Sequence, residues 1–559
     1  MNLKQEVFNV LQQLTDYGEL NNLIIDSIDA SKGDFCLPCF SLAKTLHKSP
    51  MIIADEIAGS LNLDNTNIQK VESVAGYVNF FLNKAKISEN VLNSFVVPTH
   101  NSNEKTVCID YCSVNLAKYM HIGHLKNTFL GESLARLFEN FGYKVVRINY
   151  IGDYGTPYGK IIAGLQMWGT DEDVASRGID ALQEYYVKFC AAEAEDEKLE
   201  QLARDLSKKI EDKDAEIYPI YQKVIEIARK EAERLLDILG IHFDSWKGEA
   251  SYADDVNKVV DMLDQKGLIS ISQGATVVDL SQFDMPPCLV KRSDGASIYA
   301  SRDIAAAIDR YNDYHYDTML YLTAVEQKLH FAQFFKVLEL AGMPFSNGLE
   351  HISYGRFSLP NGKISSRRGK QAVLVDLIDY VLDKANDVIK NRTFNIENPK
   401  DVALKVAKGV LSFNALNIER NKDAIFDIER AFSFEGETAP YMQYTYTRIM
   451  SIMRKAQSLD LNNVACDYTC LDQVQAFELI KMCCNLDNTL KLALDKRDPS
   501  IVLKYCMEMC KTLNKYYTVC KILDDNLPQV KAKLQLLTLI KNVLSKAFNL
   551  ICLETMEEM

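Results

Sequence analysis

The run Ser113-Val114-Asn115-Leu116-Ala117-Lys118-Tyr119-Met120-His121-Ile122-Gly123-His124 places two of the chain's eight histidines around one glycine. An apolar stretch, Val107 to Tyr111, precedes it and reads as a strand. Leu125, Phe129, Leu134 and Leu137 follow at helical spacing. A strand, a turn and a helix start make a polyphosphate site, because the first-turn amides and the helix dipole face the anion. His121 and His124 can donate to phosphate as charge builds on it, and Gly123 lets a nucleotide lie close to the backbone. Taken alone, His-x-Gly-His is as often a helix start with two surface histidines. Asn115, Lys118 and the strand before them shift that balance toward chemistry.

Three more clusters carry chemical potential. Gly362-Lys363-Ile364-Ser365-Ser366-Arg367-Arg368-Gly369-Lys370 is a basic, hydroxyl-rich loop between glycines. Such a lid can close cations over a triphosphate, although it lacks the spacing of a Walker A loop. In Lys291 to Asp303 a Ser-Asp-Gly turn precedes Tyr299 and Asp303, which share a face if a helix begins there. A carboxylate beside a phenol suits a guanidinium, with its planar fork of donors. An internal pair of Asp303 with Arg302 or Arg310 is the plainer alternative. In Phe434 to Arg448, tyrosines interleave with Arg448, a pattern that stacks on unpaired bases or simply fills a core. Cys36-Leu37-Pro38-Cys39 has zinc-ligand spacing but no second pair to complete four ligands, so buried thiols fit better.

The elements that must position these clusters fall into three parts. Residues 1–100 read as a small α+β domain, with a helical stripe at Val7, Val10, Leu11 and Leu14 and a strand over Ala75 to Leu82. From 105 to 380 short strands alternate with helices, which predicts a mostly parallel sheet. Its expected strands are Val107–Tyr111, Lys144–Tyr150, Thr276–Leu280 and Thr318–Thr323. A Glu-, Lys- and Ala-rich helical insertion spans about 160–245. From 385 to 559 strand signals disappear and a helical bundle is expected.

Bulk composition bounds the function. At 559 residues, 47% hydrophobic and 25% charged, the chain has ample core and the balance of a soluble protein. A net charge of −13 argues against an all-basic surface, yet a local basic face would suffice for RNA. No apolar run approaches a membrane span, and Met1 to Val10 lacks the apolar core of a signal peptide. Fourteen scattered cysteines fit a reducing, cytoplasmic setting.

The wording of the histidine run resembles the HIGH signature of class I aminoacyl-tRNA synthetases, in the form found in arginyl-tRNA synthetases. Lys363-Ile364-Ser365-Ser366-Arg367 resembles their KMSKS loop, with Ser366 where the second lysine stands. Arginyl enzymes commonly lack that lysine, and Lys118 occupies the position of its substitute. The resemblance implies a Rossmann-type parallel-sheet catalytic domain between a small α+β N-terminal domain and an all-α C-terminal anticodon-binding domain. It implies ATP contacts from His121, Gly123, His124, Lys363, Ser365, Ser366 and Arg367, with Lys118, His121, His124 and Lys363 catalytic. Arginine contacts would come from Asp110, Ser113, Asn115, His124, Tyr299, Asp303 and Gln327. Asn149 to Gly155 is similar to a family turn in which Asp153 plays a supporting part. For tRNA, the resemblance implies Tyr77 and Asn79 at the D-loop and Tyr441, Thr445, Arg448, Tyr517 and Met559 near the anticodon. Glu557-Glu558 replaces a usual basic residue there.

The function expected is therefore activation of L-arginine with MgATP and transfer to tRNA(Arg), by a cytoplasmic monomer without protein-bound zinc or a membrane partner. The rivals are another class I synthetase, such as a cysteinyl enzyme, and a catalytically idle RNA-binding paralogue.

Overall fold

In the computed structural model, which describes residues 3–14, 20, 23–27, 32–292, 299–360, 373–390 and 396–559, the apolar stripe at the amino end becomes the helix Leu3–Leu11. Four antiparallel strands follow: β1 (Ile25–Asp26), β2 (Phe35–Pro38), β3 (Ile68–Val74) and β4 (Tyr77–Leu82), ordered β1-β2-β4-β3. Ala75 and Gly76 were expected inside the last strand. Both have positive φ, 51° and 82°, and Val74 faces Tyr77, so they form the two-residue hairpin turn instead.

The central sheet holds β5 (Thr106–Asp110), β6 (Lys144–Ile148), β10 (Thr318–Ala324) and β11 (Leu349–Tyr354), in the order β11-β10-β5-β6 with every pair parallel. The chain leaves β5 toward β6 on one side and leaves β10 toward β11 on the other. The strand order thus reverses between β5 and β10, and ligands bind at the carboxyl ends of such a switch point. Asp110 lies beside Tyr321 in that register, so Asp110 and Thr323 end at one crevice. All of β5 is buried.

Three other strands, β7 (Ile269–Ser272), β8 (Ala275–Val278) and β9 (Cys288–Lys291), form a separate antiparallel meander. The segment Thr276–Leu280, expected in the parallel sheet, belongs here. The turn at Gln273 and Gly274, with φ of 51° and 79°, explains why: it makes a tight hairpin rather than a crossover. Leu349–Tyr354 was missed as a strand because only Ile352 on it is buried, so no apolar run marks it.

The insertion is helical, with Thr156–Trp168, Asp171–Arg177, Ile179–Glu193, Glu197–Glu211 and Ile217–Leu239. Helices also dominate the carboxyl part. The helix Leu374–Lys390 runs unbroken through the expected 380–385 boundary, and β12 (Phe357–Ser358) pairs with β13 (Ala424–Ile425), a short strand beyond it. Among the described residues no helix is long and apolar enough to cross a membrane.

The helix Ile122–Asn140 ties these parts together. Ser133 Oγ donates to the Leu550 carbonyl at 2.6 Å and Arg136 to the Asn549 carbonyl at 2.8 Å, both at the end of the last long helix. Its buried Glu132 accepts from the Tyr111 hydroxyl at 2.9 Å, Arg136 Nε at 2.7 Å and Arg147 Nε at 3.0 Å. Beside it, a Cβ on Gly131 would stand 2.2 Å from Tyr111 Cγ. Gly131→Ala must therefore push apart β5 and this helix. We expect a loss of about 3 kcal/mol by urea unfolding, typical of overpacking in a filled core; an unchanged midpoint would show that Tyr111 can move aside freely.

Candidate active site

The chain leaves β5 through a strained turn. Ser113 N–H donates to the Tyr111 carbonyl at 2.9 Å around Cys112, whose φ is 69°, and Ser113 itself sits at φ 48°. This is the rare positive-φ γ-turn, followed by a second left-handed residue without glycine at either position. Asn115 then lies against Gly152: Gly152 N–H donates to the Val114 carbonyl at 2.8 Å and Leu116 N–H to the Gly152 carbonyl at 3.2 Å. Asp153, next in that turn, is buried and accepts from Ala250 N–H at 2.8 Å. Burial pushes its carboxyl up to about 6.

The two histidines cap the helix that follows. His121 Nδ1 accepts from Gly123 N–H at 3.1 Å, and His124 Nδ1 accepts from His121 N–H at 3.0 Å. Side chain and backbone thus satisfy one another reciprocally, as in a Ser/Glu capping box. With Nδ1 accepting in both rings, each proton stands on Nε2. Burial and the nearby Lys118 charge lower His121; burial and the His121 ring lower His124 to about 3. The pair therefore offers two neutral N–H donors rather than two cations. Gly123 has a nearer reason than nucleotide approach: a Cβ there would lie 2.8 Å from His121 Cε1 and break the cap.

A cavity of ≈ 580 Å³ opens at the switch point, and His124, also expected at the arginine, is not on its lining. Asp110, Ser113, Asn115, Tyr299, Asp303 and Gln327, six of the residues singled out from sequence, line it together. Tyr299 and Asp303 share a face of the helix Tyr299–Tyr314. The same face carries Ala306 and Arg310 into the cavity wall, three and seven residues after Asp303, a spacing that helical periodicity could have exposed.

The internal pairs differ from the simple alternatives. Arg310 is bound to Asp110 at 2.9 Å, and Ser113 Oγ donates to the same carboxylate at 2.9 Å. Arg302 pairs with Glu249 at 3.1 Å. Asp303 takes neither arginine; His330 Nε2 lies 2.6 Å from its Oδ2. Burial pushes Glu249 up to about 7, with Arg302 pulling the other way. Glu249, Tyr150, Arg310, Tyr321, Thr323 and His330 are cavity residues that sequence reasoning did not find. Apart from Arg310, which falls at helical spacing from Asp303, they leave no periodic signal. The Tyr150 hydroxyl is buried without a hydrogen-bond partner among the described residues.

Lys118 is exposed and lines a smaller adjoining cavity with Asn115, Met120 and Val373. Lys363, Ser365, Ser366 and Arg367 lie outside the described residues. The chain beyond them is anchored at the histidines: Val373 pairs with His121, and Leu374 N–H donates to the Met120 carbonyl at 2.8 Å.

The residues singled out for RNA divide by exposure. Tyr77 is half-buried with Phe40 edge-on at 5.1 Å, while Asn79 is only 6% exposed. Arg448 is exposed and lies over the Tyr517 ring at 4.4 Å; Tyr441 is half-buried and its hydroxyl accepts from Asn514. Thr445 and Met559 are buried, at 0% and 2% exposure. Glu558 pairs with Arg454 at 2.7 Å, so the acidic end has an internal partner. Cys36 and Cys39 are buried, and burial raises both thiols, Cys39 to about 11, which favours the protonated form over a metal-binding thiolate.

The capping geometry makes a direct prediction. In long-range 15N–1H spectra, His124 keeps an unprotonated Nδ1 and a protonated Nε2 from pH 8 down to pH 5, because its folded value lies near 3. A titration centred near 6.5 would contradict the neutral-donor reading.

Three family models match successive parts of the chain: an arginyl-tRNA synthetase N-terminal domain over residues 1–82, the class I (R) tRNA synthetase catalytic domain over 86–428, and the DALR anticodon-binding domain over 442–559. The chain is 38% identical over 570 residues to the arginine–tRNA ligase of Clostridium botulinum, covering all of both proteins. It is 35% identical over 577 residues to that of Halothermothrix orenii, again with full coverage. In fold it is similar to the arginyl-tRNA synthetases of Thermus thermophilus, with a TM-score of 0.80 at 21% identity, and Plasmodium falciparum, with 0.78 at 21%. These structural matches cover 100% of this chain and 99% and 98% of theirs. From end to end, the chain belongs to the arginyl-tRNA synthetase family of class I aminoacyl-tRNA synthetases.

Proposed function

We propose that the chain activates L-arginine with MgATP and transfers it to the 3′ end of tRNA(Arg), acting as a cytoplasmic monomer. The observation that carries this reading is that one strand end leads both to a polar cavity lined by Asp303, Glu249 and Asp110 and to a capped helix start bearing two neutral N–H donors. In the first step an arginine carboxylate oxygen bonds to the α-phosphorus of ATP, and the bond to the bridging oxygen breaks, releasing pyrophosphate. In the second, a terminal ribose hydroxyl attacks the arginyl carbonyl and AMP leaves. No side chain needs to form a covalent bond, so positioning and charge stabilisation supply the rate.

Tyr299, Asp303 and Gln327 would take the guanidinium end, with the unpartnered Tyr150 hydroxyl oxygen as a further acceptor at the cavity wall. Ser113 and Asn115 would face the amino and carboxyl end. Asp110 is engaged by Arg310, so its part would be to hold that wall and Ser113 in place. His121 and His124 would donate Nε2–H to phosphate, joined by Lys118 and Lys363, with Gly123, Ser365, Ser366 and Arg367 completing the ATP contacts. Neutral donors favour the charge that develops in the transition state without attracting unrelated anions to the empty site. Mg²⁺ would arrive with the nucleotide. For tRNA, exposure favours Arg448 and then the half-buried Tyr77 and Tyr441 as the contacting groups; Tyr517, its hydroxyl buried, would back Arg448, with Asn79, Thr445 and Met559 shaping the surface from beneath.

ATP–pyrophosphate exchange, measured with and without tRNA(Arg), tests the reading. Exchange should require arginine and, as the family resemblance implies, bound tRNA, and should not respond to cysteine. Asp303→Ala should lower arginine-dependent kcat/KM by roughly 100-fold or more, since it removes the charge partner of the guanidinium. RNA binding without exchange would instead make the chain an idle RNA-binding relative.

A further inference from the structure

We propose that Asn127 is a positioning residue that fixes the amino-acid side of the active site against its phosphate side. It lies on the helix Ile122–Asn140, three residues after His124, and is 4% exposed. Its Oδ1 accepts from Cys112 N–H at 3.2 Å. Its Nδ2 donates to the Leu322 carbonyl at 3.1 Å and to the Tyr354 hydroxyl at 3.2 Å. The orientation of this amide is dictated by its partners, because Cys112 N–H can only donate and the Leu322 carbonyl can only accept.

Each of the three bonds reaches a different strand at or near its carboxyl end. Cys112 is the centre of the strained γ-turn after β5. Leu322 precedes Thr323, which lines the cavity from β10. Tyr354 is the last residue of β11. One side chain thus ties the histidine-bearing helix to three of the four strands of the sheet. The fourth side is closed by Asn149, whose Oδ1 faces Val114 N–H at 3.4 Å.

The γ-turn explains why such a tie is needed. Two successive non-glycine residues at positive φ relax unless their surroundings hold them. Cys112 N–H is buried, and without Asn127 it would lose its acceptor. Relaxation of Cys112 would carry Ser113 and Asn115 away from the histidines. It would leave each half of the site able to hold its own ligand. What would be lost is the alignment of the arginine carboxylate with the α-phosphate, where displacements near 1 Å cost about 100-fold in rate. Asn127 touches neither ligand in this account, which rests on the arginine-activating reading given above.

The test compares Asn127→Asp with Asn127→Ser in the full-length protein. The first keeps shape but sets an oxygen against the Leu322 carbonyl; the second shortens the reach to all three partners. Arginine-dependent, tRNA-supported exchange is measured, with active sites counted from the first-turnover burst. We expect kcat per active site to fall roughly 100-fold while KM for ATP and for arginine each stay within about threefold. A merely structural residue would lower the thermal midpoint and the count of active sites but leave kcat per site unchanged, and that result overturns the proposal. So does a rise in KM with kcat preserved. If Asn127→Asp fails to fold, Asn127→Ser decides by the same split. A wild-type protein without arginine-dependent exchange would overturn the parent reading, and this one with it; an active wild type with unaltered variants overturns this one alone.

Discussion

A fully buried strand has to end, release the chain and present a helix amino terminus within about a dozen residues. β5 does so through the γ-turn at Cys112, and the histidine-capped helix starting at Ile122 follows. Because the turn is tight, the residues that reach the cavity and those that cap the helix stand beside one another. Asp110, Ser113 and Asn115 serve one side; His121 and His124 serve the other. A looser exit from the strand would separate the two groups. The strain of the turn is offset by the buried hydrogen bonds around it, which is how local backbone strain persists at functional sites.

Charge is handled in the same economical way. The buried carboxylates Asp110 and Glu132 face arginines, Arg310 for the first and Arg136 with Arg147 for the second. Such pairs add little net stability over apolar packing, yet losing one partner is costly because the other is left charged and dry. Asp303 is arranged differently, with a histidine rather than an arginine at its carboxylate. It is therefore the acid in the cavity least committed to a permanent cation. On the phosphate side burial keeps the imidazoles neutral, helped by Lys118 at His121 and by the His121 ring at His124, so the two rings add no positive charge before substrate arrives.

Local constraints were readable from the sequence, and distant ones were not. The strand, turn and capped helix around His121 and His124 follow from residues within a few turns of each other. The shared face of Tyr299 and Asp303 follows from four-residue spacing. Arg310 shares the helical face of Asp303, but nothing local pairs it with Asp110, 200 positions away on β5; Glu249 enters the cavity from a short 3-10 segment after the insertion and leaves no periodic signature. Gly123 was legible as a close approach, but the group that approaches is the protein's own His121 ring. Thr276–Leu280 read as a strand and is nearly one, yet only the left-handed Gln273–Gly274 turn shows that it joins a meander. For RNA, an aromatic stripe does not reveal which face is turned outward: Arg448 is exposed while Thr445, three residues earlier on the same helix, is buried.

The central claim is that one strand end brings the guanidinium pocket and the phosphate donors together around a single reacting bond. A crystal structure with a non-hydrolysable arginyl-adenylate analogue addresses it most directly. The account predicts the guanidinium within hydrogen-bond distance of Asp303 and Tyr299, and the phosphate-equivalent group within reach of His121 and His124 Nε2, in one continuous ligand. An analogue bound with its guanidinium away from Asp303, or with both imidazoles out of contact, would contradict it.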